Sequence, residues 1–306
     1  MSRPISAFLD LAGWGGANIS PLAGDASSRR YARVHVAGNS AILMIAPPED
    51  RAAFDAFLAV ALRLRDVGLS APDILSARPR DGLMLLEDLG DRSFADAQLP
   101  LAAMDTAVDV LIHLAHGNLD WGAARMTPAA MAEMTKVALP TCEGAAAALQ
   151  QMETLFTRYF TRPPVPCLRD FHAENLLWLP GRTGLGRVGL LDFQDAVMAP
   201  PGYDLTSLTH DARRGMAADR QAALTARYAE GLGLATEPFA AECAVLIFQR
   251  NLRILGIFRR LAETRGKPAY LAHLPRVFGY VEGALRHPAL RDLARTMAPL
   301  MPGLAP

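Results

Sequence analysis

The chain has 306 residues, 51% of them hydrophobic and 20% charged, which suits one large core or two modest ones. Lys plus Arg and Asp plus Glu both number 31. A broad nucleic-acid surface needs a basic excess, so that class is disfavoured, whereas a small anionic substrate needs only a local cluster. Cys142, Cys167 and Cys243 form no C-x-x-C pair, which argues against a zinc knuckle or redox motif and for reduced thiols in a cytoplasmic protein. The first residues, MSRPISAFLD, carry no long apolar segment after Arg3, so no signal peptide is expected. No apolar run approaches the ~20 residues of a membrane span, and no obligate protein partner is evident.

In chain order, Tyr31 to Val36 alternates, with Ala32, Val34 and Val36 on one face and Tyr31, Arg33 and His35 on the other. That pattern predicts a half-buried strand. Gly38, Asn39 and Ser40 form a hairpin turn, and Ala41 to Ala46 is a second strand, stopped by Pro47 and Pro48. Glu49 to Val67 places Phe54, Phe57, Leu58, Ala61 and Leu62 at helical spacing, with Gly68 as C-cap. Leu83 to Glu87 is a further strand. After Gly90 the pattern is mostly helical, with helices expected at 102–116, 144–160, 203–214, 220–231, 238–263 and 270–285. We therefore divide the chain at residue 90, with a sheet-and-helix lobe at 1–90 and a mostly helical lobe at 91–306.

One stretch interrupts the helices. The run LRDFHAEN from Leu168 to Asn175 is followed by two short apolar strands and then LLDFQD from Leu190 to Asp195. Phosphoryl transfer from a nucleotide needs a carboxylate to orient the attacking hydroxyl and two oxygen ligands to hold magnesium on the phosphates. D-x-x-x-x-N followed by a D-F-G-like Asp is the spacing of a kinase catalytic loop. Asp170 takes the place of the base, and Asn175 and Asp192 those of the metal ligands.

These residues resemble the aminoglycoside-phosphotransferase branch of the protein-kinase-like fold. Within it, the chain is most similar to bacterial kinases that phosphorylate the anomeric hydroxyl of N-acetylmuramate and N-acetylglucosamine in cell-wall sugar recycling. GDASSRRY (24–31), APPED (46–50) and LEDLG (86–90) support the wider branch; DFQDAVMAPPGYD (192–204) and QRNLRILGIFRRL (249–261) support the narrower group. The resemblance implies a two-lobed α+β kinase-like fold, with a small antiparallel-sheet lobe, a larger helical lobe, ATP between them and Mg2+ as the metal. It also implies a sugar as the small-molecule partner. His172 is then a brace of the catalytic loop or a substrate contact. Asp204 matches a buried Asp that anchors that loop.

The remaining candidates follow from this frame. Asp25, Ala26, Ser27 and Ser28 form the candidate phosphate cradle, where small residues let backbone N–H groups approach. Met44 occupies the position where protein kinases carry a phosphate-binding Lys, and the first Lys of the chain is Lys136. Arg29, Arg30 and Arg33 offer charge there, and Arg30 is the first candidate for the replacement, since a guanidinium suits bidentate phosphate contacts. Glu87 and Leu89 are named for hinge main-chain groups that meet the base of the nucleotide. Glu174, Asp195, Arg250, Asn251 and Arg253 are candidates for the acceptor; a lactyl carboxylate would suit an Arg. Asp195 and the Arg250 helix also read plainly as a turn residue and a solvated basic face.

Three rival readings are set aside. Asp170, His172, Glu174 and Asp192 around a hydrolytic metal would leave Asn175 and the first lobe unexplained. GLGRVG from Gly184 to Gly189 matches G-x-G-x-x-G, but a strand follows it where a dinucleotide site needs a helix. His113 and His116 share a helix face without a carboxylate partner. Two other functions stay open: a different small-molecule phosphotransferase, and a catalytically weak kinase-like regulatory module.

Overall fold

The alternation read at Tyr31–Val36 is realised in a five-stranded antiparallel sheet. We describe it from a computed structural model covering residues 3–22, 28–96, 98–100, 102–117 and 122–301. The chain forms two compact units, Met1–Leu99 with Glu174–Ala196, and Pro100–Ala173 with Val197–Pro306.

The first unit opens with α1 (Arg3–Leu11), β1 (Asn18–Pro21), β2 (Arg30–Val36) and β3 (Asn39–Ile45). It continues with α2 (Arg51–Asp66), β4 (Ile74–Arg78) and β5 (Leu83–Glu87). Sheet order is β1-β2-β3-β5-β4. Side chains alternate across a strand, so the sheet has two distinct faces. Val34, Ala41, Leu43, Leu83 and Leu85 bury against Phe8 and Leu9 of α1. Tyr31, Arg33, Ile42 and Leu86 point the other way and line a pocket. α2 buries Phe54, Phe57, Ala61 and Leu64, and Phe57 stacks on Phe193 with ring centroids 4.7 Å apart.

In the second unit the chain runs through α3 (Ala102–His116), α4 (Pro128–Thr135), α5 (Glu143–Tyr159) and β6 (Val165–Cys167). It then returns to the first unit as the antiparallel hairpin β7 (Leu176–Trp178) and β8 (Val188–Leu190). The sequence placed this hairpin with the helical lobe; its contacts attach it to the sheet unit. The Leu190 N–H donates to Ser70 O at 2.9 Å, the Ser70 hydroxyl to Gly186 O at 2.7 Å, and the Phe94 N–H to Leu176 O at 2.8 Å. Gly184–Arg187 is a 3₁₀ turn entering β8, so the glycine run there meets no helix N-terminus.

Thereafter the second unit holds β9 (Val197–Ala199), paired with β6, and α6 (Tyr203–Thr209). Next come α7 (Ala218–Gly231), α8 (Thr236–Thr264), α9 (Leu274–Leu285) and α10 (Arg291–Met297). α8 is the central element, burying Val245, Leu246, Phe248, Leu252 and Leu255 in one core with Met152, Phe156, Val281 and Met297. Among the described residues no helix is long and apolar enough to cross a membrane.

Two helix boundaries differ from the sequence reading for local reasons. α6 stops at Thr209 because the Asp211 carboxylate turns back to accept the Arg213 N–H at 2.8 Å, an Asx-type turn that competes with helix. α9 starts at Leu274 because Pro275 is tolerated only in a first turn.

The seat of α8 is tight at Gly256, where a Cβ would lie 2.5 Å from backbone atoms of Val137 and Ala138. Gly256→Ala should therefore overpack this contact, at a cost of about 1–3 kcal/mol, and lower Tm by roughly 3–10 °C. Thermal unfolding measures this; an unchanged Tm would mean that the helix is not held against that turn.

Candidate active site

The pocket of the first unit has a volume of about 430 Å³, within the range of small-molecule sites. Its walls are apolar, from Tyr31, Ile42, Leu86, Leu177 and Leu191. The segment Glu87–Asp91 forms one edge, so Glu87 and Leu89 both reach it. The Glu87 N–H is already given to Asp73 O at 2.8 Å, and its carboxylate pairs with Arg182 at 2.5 Å. Asp88 and Asp91 hold Arg33, with Nε–Oδ2 and Nη2–Oδ1 distances of 2.7 and 2.6 Å.

Asn175 and Asp192 line this same pocket together with Arg29. The Leu191 N–H donates to Asn175 O at 2.9 Å, which ties the two candidate ligands through the hairpin backbone. Asp192 has φ 55°, a left-handed conformation that an Asp tolerates better than most residues. Both side chains are hard oxygen donors. Magnesium is held through one or two carboxylates plus phosphates and waters, so this donor set fits that ion. Among the described residues, no three His, Cys, Asp or Glu side chains are grouped to hold a metal.

The phosphate end differs from expectation. Asp25, Ala26 and Ser27 lie outside the described residues. Ser28 is exposed, and its hydroxyl donates to the Asp50 carboxylate. Arg30 is also exposed, and by strand parity it shares the α1 face with Val34, away from the pocket. Its neighbour Arg29 is only 8% exposed and lines the pocket. The guanidinium donates to Gln194 Oε1 at 2.9 Å and pairs with Asp192 Oδ1 at 3.4 Å. The Gln194 amide in turn donates to Asp192 at 3.0 Å and Asp195 at 3.1 Å. Asp195 itself is exposed. The sequence reading ranks Arg30 ahead of Arg29, although extending the alternation of the strand by two residues sets Arg29 on the face of Tyr31 and Arg33.

Asp170 belongs to the second unit. It follows Arg169, whose φ of 75° is left-handed and costly for a side chain of that size. The buried Asp204 carboxylate holds this turn, accepting the Leu168 N–H at 2.5 Å and the Arg169 N–H at 3.0 Å. Burial pushes the Asp204 carboxyl up to about 7, against the pull of those two donors and of Arg250. A second brace was not foreseen: the buried Asp211 accepts the Ala173 N–H at 3.0 Å. Nothing in sequence distinguishes Asp211 from any Asp that follows a helix.

Asp170 shares its electrostatic surroundings with Arg169, Arg250 and Arg253 and with the acids Asp204 and Asp211. Arg253 is partly exposed and Arg250 is 5% exposed. Burial pulls Arg253 below the usual guanidinium range; Tyr203 and Asp170 raise it again, and Arg169 and Arg250 lower it further. Asn251 is fully buried and donates to Ile247 O of its own helix at 2.9 Å, so α8 offers the two arginines to this region and turns Asn251 inward. Glu174 is exposed on a 3₁₀ turn. His172 is half-buried, and desolvation brings its pKa down to about 4.

This geometry has counterparts in known proteins. The profile of the phosphotransferase enzyme family APH matches residues 18–243. The chain belongs to that family. An N-acetylmuramate/N-acetylglucosamine kinase of Caulobacter vibrioides is 37% identical over 94% of this chain and 93% of its own. One from Pseudomonas aeruginosa is 32% identical over 95% and 92%. A choline/ethanolamine kinase family protein from Mesorhizobium loti shares the fold, with a TM-score of 0.66 at 19% identity over 95% of this chain and 96% of that one. The fold is thus α+β and protein-kinase-like, and the chain is a nucleotide-using phosphotransferase.

Two histidines make the fold acid-sensitive. Burial lowers both His172 and His210 to about 4, against about 6.5 unfolded. The unfolded chain therefore binds these protons first, and stability falls as pH drops from about 6.5 to 4. Each can contribute up to about 3 kcal/mol. Asp204, raised to about 7, acts in the opposite sense over the same range. Chemical denaturation at pH 7 and 4.5 should show a smaller acid loss in the double variant His172→Gln/His210→Gln than in the parent. Equal losses would mean that neither ring is held neutral.

Proposed function

We propose that the protein transfers the γ-phosphoryl group of ATP to the anomeric hydroxyl of N-acetylmuramate, N-acetylglucosamine or both, with Mg2+, in the cytoplasm. The observation that carries this reading is the placement of Asn175 and Asp192 on one pocket with the Glu87–Asp91 edge, taken with the names of the relatives.

In this reading the base of the nucleotide enters the apolar slot beside Glu87 and Leu89. Asn175 and Asp192 hold the metal, which when bound neutralises charge on the phosphates. Asp170 accepts a hydrogen bond from the acceptor hydroxyl and aims its oxygen at phosphorus. An anomeric hydroxyl is more acidic than an ordinary alcohol, so orientation outweighs proton removal. Arg253 is the better partner for a lactyl carboxylate, because Arg250 is buried while Arg253 keeps some exposure.

Asp170→Asn keeps the shape and removes the carboxylate. Turnover should fall by about 10²–10⁴ while ATP still binds; near-normal turnover would take Asp170 out of the mechanism.

Arg253→Ala should lower kcat/KM for N-acetylmuramate by about ten- to a hundredfold and spare N-acetylglucosamine. The ratio of the two sugars in one variant cancels general damage to the fold. Equal losses would assign Arg253 to packing or hydroxyl binding, and no activity of the parent on either sugar, followed by phosphorus NMR, would sink the amino-sugar reading.

A further inference from the structure

The chain lacks a phosphate-binding Lys on β3, yet a nucleotide site must neutralise several negative charges. Met44 stands where that cation would be, and it is fully buried. The residue opposite Met44 on β2 is Tyr31. Two positions before Tyr31, and on the same face by strand parity, comes Arg29. Arg29, Tyr31 and Arg33 all line the pocket. Of these, Arg33 is held at the Asp88–Asp91 edge, whereas Arg29 lies at the end that holds Asp192. The neighbouring strand therefore delivers a cation to the face that β3 leaves apolar.

The state of Arg29 points the same way. A guanidinium that is 8% exposed is costly unless well paired. Its distance of 3.4 Å to Asp192 is long beside the 2.7–2.9 Å typical of a tight charge-assisted bond. Gln194 is the firmer partner at 2.9 Å. Gln194 also donates to Asp192 and Asp195, so its oxygen is directed toward Arg29. The guanidinium is thus aimed by a neutral amide within the pocket.

We propose that Arg29 is the phosphate-binding cation of this kinase, aimed into the pocket by Gln194 at the end that holds Asp192. The proposal rests on the nucleotide-pocket half of the reading above and is independent of the acceptor.

Calorimetric binding of ATP, ADP and adenosine to the full chain tests this without turnover. Arg29→Ala should weaken ATP and ADP about ten- to a hundredfold and leave adenosine, which has no phosphate, at parental affinity. Arg29→Lys should restore part of the loss, keeping the charge without the fork. Unchanged ATP affinity in Arg29→Ala would overturn the proposal. So would an equal loss of adenosine, which would mark a collapsed pocket, or a loss confined to Arg30→Ala. A parent that binds ATP in an Arg29-dependent way but phosphorylates no amino sugar would support Arg29 and overturn the acceptor reading alone.

Discussion

The catalytic loop depends on one buried carboxylate. Arg169 sits at φ 75°, a conformation that costs a non-glycine residue on the order of 1–3 kcal/mol. Asp204 accepts the two N–H groups of that turn, and hydrogen bonds to a charged group are each worth roughly 1.5–3 kcal/mol. The brace therefore exceeds the strain, and the turn that projects Asp170 is fixed rather than sampled. Burial raises the Asp204 carboxyl to about 7, so this brace is itself in tension: its charged form makes the better acceptor, and its surroundings disfavour charge. Asp211 fixes the other side of the loop through Ala173. Two carboxylates thus hold the loop that carries Asp170.

The sheet imposes the other constraint. A strand offers alternate residues to each face, and β2 spends one face on the α1 core and the other on the pocket. That parity makes Arg29 and Arg30, adjacent and chemically identical, wholly different in role. It also explains how Met44 can be tolerated: the deficit on β3 is met from β2, a strand bonded to it along its length. Under the proposal for Arg29, the absence of a Lys on β3 would move the phosphate contact to the neighbouring strand without abolishing it.

What was legible in the sequence had a period or a spacing. The alternation of Tyr31–Val36, the helical repeat of Phe54, Phe57 and Ala61, and the D-x-x-x-x-N run all translate directly into local geometry. What was not legible depended on tertiary partners or weak local signals. Asp211 turns the chain after α6 through Arg213 and also serves Ala173, far away in sequence. The hairpin of Leu176–Leu190 joined the sheet unit because Ser70 and Phe94 bond to it. α4 was missed although Thr127 caps it by accepting the Ala130 N–H at 3.2 Å; its short apolar pattern hid a cap that could have been read. Arg30 was preferred to Arg29 without applying the alternation already assigned to that strand.

A chain with equal numbers of acidic and basic groups still gathers three guanidinium groups in the surroundings of Asp170. Arg250 and Arg253 are three apart on α8, a spacing that places both on one helix face, and Arg169 adds a third guanidinium whose charge Arg253 feels. At an effective dielectric near 20, two unit charges about 4 Å apart interact by about 4 kcal/mol, falling to ~1 kcal/mol in bulk water. In the proposed reading, Arg250 and Arg253 would repel a polycationic acceptor and attract one that brings a carboxylate, and specificity is such a difference of affinities. Net charge is blind to this because many acids, among them Asp88, Asp91 and Asp109, are paired elsewhere.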